Sequence, residues 1–327
     1  MDLPRSRQER HRGPAARAAL PIAVLCGLAA AAFTLTAGTG SVGAMILVFL
    51  AELPLFLAGL WLGYRAAILA SLAAVMLLLA TSPWGEALLF AVSSAGPVVF
   101  LVRQTLLAKR NKEGNREWYP LGLLTAWLTG FGLLALVLSI FAFGGPNGIE
   151  TALRRALGPL LAPVPGLSAG ERAGIVNAVA AVTPGTLAAS WMVMTLTNAV
   201  LAQGVLGRFG ATLRPSPDIA TLALPLWLPA LFVAAAGMTV LGANGRFLGV
   251  NGMIVLAVPL CLAGLGVMHD FARTLSRPAM PLTVFYVFAG LFGWPFLFAA
   301  LLGLLDPPLG LRRRLNRSRS QKGEIDG

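Results

Sequence analysis

Apolar runs of about twenty residues recur along this chain, and no other feature of it constrains the fold as strongly. A helix of that length crosses about 30 Å of hydrocarbon. One such run, VGAMILVFLAELPLFLAGLWLGYR at 42–65, carries an acid, Glu52, near its centre. A carboxylate at mid-span costs on the order of 3 kcal/mol or more, so it belongs against a bundle interior or a wet cavity, away from lipid. Pro54 follows two residues later and removes a backbone donor at the same place.

Composition agrees with a lipid solvent. Of 327 residues, 57% are hydrophobic and 12% charged, where a soluble domain has roughly 25% charged residues. The net charge of +12 sits in patches. Five Arg lie in 1–19, five Lys or Arg in 103–117 and six in 306–327, out of 25. Basic flanks beside apolar spans mark the cytoplasmic side. No basic segment carries a recognition fold, so nucleic acid is not expected as a partner. Cys26 and Cys261 lie inside apolar runs, as small hydrophobes do. No Cys/His spacing points to a metal and no cofactor is expected.

The chain reads as five segments. A basic cytoplasmic tail at 1–19 precedes an N-terminal helical membrane bundle at 20–143. A connection at 144–185 leads to a C-terminal membrane bundle at 186–305, and a basic cytoplasmic tail closes the chain at 306–327. Spans are expected near 20–37, 43–63, 66–81, 86–107, 119–143, 186–207, 220–242, 247–268 and 281–305. The first could also read as a signal peptide, but further spans follow at once, which favours an uncleaved helix. In the connection, Ile149, Leu153, Leu157, Leu160 and Leu161 follow helical spacing, with Glu150, Arg154 and Arg155 off the stripe. That pattern predicts an amphipathic helix on the membrane surface, bent or ended by Gly158-Pro159. Breaks are expected at PVPG, 163–166, and at Thr183-Pro184-Gly185. Nine spans would place the two basic tails on opposite sides, so charge favours eight. The expected fold is an all-α integral membrane protein of eight or nine transmembrane helices in the bacterial plasma (inner) membrane, N-terminus cytoplasmic. No Walker loop, GxSxG, HExxH or paired-carboxylate motif occurs, so no enzyme activity is expected.

Three segments carry a resemblance: LPLFLAGLWLGYRAAILASLAA at 53–74, LAGLGVMHDFAR at 262–273 and LLGLLDPPLGLRRR at 301–314. In that order they resemble the YybS-like family of bacterial membrane proteins, whose function is uncharacterised. That family is distantly similar to the substrate-binding (S) components of energy-coupling-factor transporters. The resemblance implies S-component-like N-terminal helices, a small-molecule binding or transport role, and a partner energy-coupling ATPase module. It also implies that small residues of the first helix dock a membrane partner. Ala15, Ala19, Ala23, Gly27 and Ala31 fall at the required four-residue steps, as chance alone would also place them in an Ala-rich chain. The alternative is a structural or assembly factor of the cell envelope with no substrate.

Glu52 is the first candidate ligand-binding residue, as a proton or cation site or a polar contact. Trp191, Asn198 and Gln203 join it as candidates for a polar pocket, with Asn177 and Thr195 in the same stretch, although interhelical bonding is the favoured account of such amides. Asn244, Arg246 and Asn251 read as a turn between spans. His269, Asp270 and Arg273 read as a solvated helix end, and Arg103 as a snorkelling cation. Asp306 with Arg312, Arg313 and Arg314 reads as an anchor for anionic lipid. Pro225 and Pro229, flanking Trp227, either break a helix so that freed carbonyls line a cavity or form a harmless kink.

Overall fold

The structure is a computed structural model. It describes residues 12–142, 146–161, 166 and 168–312, without the side chains of 12–18, 146, 147, 149, 150, 157, 160 and 161. The protein is an all-α multi-pass membrane protein. Among the described residues, seven helices are long and apolar enough to cross a membrane, and a bent pair completes an eighth if it is one span. The tails at 1–11 and 313–327, with Arg313 and Arg314, lie outside the described residues. So does PVPG except for Gly166.

The helices divide between two compact units that interleave along the chain: Met1–Tyr119 with Val193–Ser216, and Pro120–Met192 with Pro217–Gly327.

The first unit opens with α1 (Arg12–Leu35), α2 (Val42–Phe49), α3 (Leu53–Leu62) and α4 (Tyr64–Thr81). Small residues bring α1 and α4 together: Ala23, Ala30 and Ala31 are buried on one, Ala66, Ala67, Ala70 and Ala74 on the other. A Cβ at Gly27 would collide with the Ala70 carbonyl oxygen, so the two backbones touch there. The expected second span is thus α2 plus α3, interrupted over Leu50–Glu52. Pro54 has no N–H, and the chain tightens: Ala51 N–H donates to Val48 O and Leu53 N–H to Leu50 O, each at three-residue spacing.

The fourth span is also irregular. A π-helical turn, Ala91–Ala95, separates α5 (Trp84–Phe90) from α6 (Gly96–Thr105), with Pro97 just after it. The charged loop is a small hairpin of β1 (Ala108–Arg110) and β2 (Arg116–Trp118), turned by Asn111, whose side chain accepts from the N–H groups of Glu113 and Asn115. Arg214 is buried beneath it. Its guanidinium donates to the Thr105 carbonyl at the end of α6 (3.1 Å) and lies 5.8 Å from the centre of the Trp118 ring. Burial lowers the pKa of this guanidinium from its ordinary value.

The second unit holds α7 (Leu121–Ala142), α8 (Pro146–Leu161) and the first part of α9 (Ala169–Arg208), then α10 (Trp227–Met238), α11 (Gly242–Ala272), α12 (Ala279–Phe292) and α13 (Pro295–Leu309). In α8, Leu153 is half-buried while Arg154 and Arg155 are exposed; the side chains of Ile149, Glu150, Leu157, Leu160 and Leu161 lie outside the described residues. The helix continues through Gly158-Pro159 and is described as far as Leu161.

Four expectations are corrected here. First, α9 does not break at Thr183-Pro184-Gly185 but runs 40 residues, starting from a capping box in which Ser168 and Glu171 satisfy each other's N–H groups. Continuity comes from Asn251, which is ten residues inside α11 and not in a turn. Its Oδ1 accepts from Gly185 N–H (2.7 Å) and its Nδ2 donates to Ala181 O (2.8 Å). Those are the two groups an uninterrupted helix pairs with each other. A Cβ on Gly185 would stand 2.7 Å from the Asn251 carbonyl oxygen, so only glycine admits this contact.

Second, the span expected at 220–242 is the 12-residue α10, about 18 Å long and too short to cross. Pro225 precedes it and Pro229 lies in its first turn, where no intrahelical donor is missed. The pair therefore starts a helix and breaks none.

Third, the straight span expected at 281–305 is two helices, α12 and α13, bent by 120°.

Fourth, Arg312 faces inward. It donates to the carbonyls of Ala220, Leu222 and Ala263 and pairs with Asp306 at 3.2 Å, tying the chain end to α11 instead of to lipid. Arg273 likewise ends α11 in a bidentate pair with Asp218 (2.6 and 2.8 Å). The contact between α11 and α13 is closest at Gly264 and Gly303, where either Cβ would collide with a carbonyl oxygen of the other helix, that of Ala299 or Leu260.

Candidate functional site

The first unit contains the candidate site, and the break in its second span builds it. In an unbroken helix the Phe49 carbonyl would accept from Leu53 N–H. Here that N–H turns to Leu50 O. Asn198 takes the freed carbonyl: its Nδ2 donates to Phe49 O at 2.7 Å and to Met194 O at 2.9 Å. Both amide hydrogens are then spent, which fixes the side chain with Oδ1 buried and without a partner.

Glu52 closes the break. It is fully buried, and neither carboxyl oxygen has a hydrogen-bond partner. The hydroxyls of Thr195 and Ser94 lie beside the carboxyl without reaching hydrogen-bonding geometry. Thr195 stands three residues before Asn198, on the same buried face of α9. Ser94 comes from the π-helical turn, an irregularity that recurs at functional sites. Two interrupted helices and the C-terminal part of α9 thus contribute side chains beside one acid. Ser71 Oγ and Gln104 Oε1 are further buried oxygens of this unit without a partner.

Of the expected residues, Glu52 and Asn198 fall together. Gln203 is in the same unit but eight residues beyond Thr195, about 12 Å along the helix axis. It holds the Arg214 carbonyl at 2.8 Å. Trp191 is half-buried and falls in the second unit. Thr195 lies among the polar residues of that stretch in the sequence, whereas Ser94 was not singled out, because a lone hydroxyl in an apolar helix gives no signal.

The chemistry available is that of hard oxygen donors around one carboxyl: a proton, a cation or the polar group of a small molecule. Among the described residues no group of three or more His, Cys, Asp or Glu could hold a metal ion. The cysteines are free and half-buried.

Comparison with protein-family models, curated proteins and solved structures finds no match to the chain.

Proposed function

We propose that the protein is a membrane-embedded binding or transport subunit for a small molecule, with its site centred on Glu52. The observation that carries this reading is a fully buried carboxyl with both oxygens unpaired, set at a helix break. In this reading the protein lies in the bacterial inner membrane. Its N-terminus and hairpin are cytoplasmic by their basic residues, and α8 rests on the membrane surface. Likeness to S components belongs to the same proposal. An energy-coupling ATPase partner would supply the hydrolysis for which this chain has no motif. Such a partner docks elsewhere than on Ala23, Gly27 and Ala31, because that face is filled by α4.

The test is thermal unfolding of the detergent-solubilised protein against a panel of vitamins and metabolites. Dose-dependent stabilisation by one compound class, lost in Glu52→Gln, is the expected result. A wild-type response from that variant removes Glu52 from the site.

The second reading, a structural or assembly factor of the cell envelope, is favoured by one observation. Asn251, Arg214 and Arg312 all spend their polar groups on holding helices together. Silence across the panel, with envelope proteins and no ATPase in a mild-detergent pull-down, selects it.

A further inference from the structure

Four buried oxygens on the residues at the break between α2 and α3 lack a hydrogen-bond partner: both of Glu52, Oγ1 of Thr195, whose hydroxyl lies beside the carboxyl, and Oδ1 of Asn198, whose amide holds the Phe49 carbonyl. All three residues are 0% exposed. Asn198 cannot rotate its oxygen away, because the Phe49 and Met194 carbonyls hold its amide hydrogens. Ser94 adds a hydroxyl beside the carboxyl.

We propose that this cluster binds an alkali-metal cation, held by Glu52, Thr195, Asn198 and Ser94. The inference rests on the binding reading above and names the ion that its site takes. Three arguments select this occupant. The first is charge. One carboxylate balances one positive charge, whereas a divalent ion would leave a buried surplus that costs several kcal/mol. The second is ligand type. Carboxylate, amide and hydroxyl oxygens are hard donors, unsuited to soft transition metals. The third is the number of oxygens. A proton on Glu52 adds one donor to the two that the Thr195 and Ser94 hydroxyls carry, and leaves the amide oxygen of Asn198 to compete for them, while a cation draws on the lone pairs of several oxygens together. Interrupted helices are also where membrane proteins present oxygens to small cations.

The experiment uses the full chain in detergent at about pH 8, where an ordinary carboxyl is ionised. Thermal stability is titrated with LiCl, NaCl and KCl against choline chloride at constant ionic strength. A saturable rise with one or more alkali cations is expected. Thr195→Val should weaken the apparent affinity by about tenfold or more, and Glu52→Gln should abolish the response, both variants remaining monodisperse. If Glu52→Gln fails to fold, Thr195→Val and Ser94→Ala carry the test. Stability that follows pH equally in all four salts assigns the site to a proton and overturns the proposal, as does stability indifferent to both salt and pH. The two readings fail separately. If cations have no effect while Glu52→Gln still abolishes a small-molecule response, the cation site falls and the binding reading stands. If cations act through Glu52 while no compound does, the binding reading falls.

Discussion

Asn198 and Asn251 do the same job in the two units, and they leave different things behind. Each is fully buried, each donates one amide hydrogen to the carbonyl four residues back in its own helix, and each donates the other to a carbonyl at a proline-associated irregularity in a second helix. At Asn251 the circle closes, because Oδ1 takes the Gly185 N–H. At Asn198 it stays open. Oδ1 has no partner, and the unpaired Glu52 carboxyl belongs to the same helix break. The first arrangement is a splice that keeps a helix continuous. The second uses the same splice and keeps acceptors in reserve. A buried polar group therefore indicates function by its unmet valence more than by its presence.

The comparison can be broken by experiment. The largest effect is expected from Asn251→Ala, which removes three hydrogen bonds at about 0.6 kcal/mol each and so costs about 2 kcal/mol. Asn198→Ala removes two bonds and one orphaned oxygen, and costs about 1 kcal/mol or less. Unfolding of both variants in mixed micelles ranks them, and an equal or reversed order would show that the two sites are not built alike. Glu52→Gln sharpens the contrast with an opposite sign. A neutral amide brings donors to unpaired oxygens, so the ligand-free protein should gain about 1 kcal/mol while losing its binding response. A clear loss of stability would mean that the carboxyl is satisfied by its surroundings.

The smallest effect belongs to the half-exposed Asp218–Arg273 pair. The Arg273 guanidinium hydrogen-bonded to Asp218 holds its carboxyl below the usual range. Its contribution is present above the unfolded carboxylate value and is lost as pH falls through the folded one. Asp218→Asn should flatten the stability profile only below about pH 4. An unchanged acid limb would remove the pair from the account.

The first five spans were legible because run length alone carries that information, and Glu52 because a charge stands out against an apolar background. What the sequence concealed was long-range rescue. Thr183-Pro184-Gly185 reads as a break, and its repair comes from Asn251, far away in the chain. Arg312 reads as a lipid anchor and Arg214 gives no signal of its own, yet their guanidiniums turn inward onto backbone carbonyls that no local pattern reveals. The run at 220–242 was long enough by composition, but Pro225 and Pro229 place the helix start at Trp227 and leave only twelve residues of helix.

The glycine contact between α11 and α13 has a genetic consequence. Any single-nucleotide missense change in a glycine codon encodes a residue with a Cβ. At Gly264 or Gly303 that atom would land on a carbonyl oxygen of the facing helix. Neither position therefore has a conservative neighbour in codon space, and a saturation library should recover both almost wholly as wild type while the surrounding leucines drift.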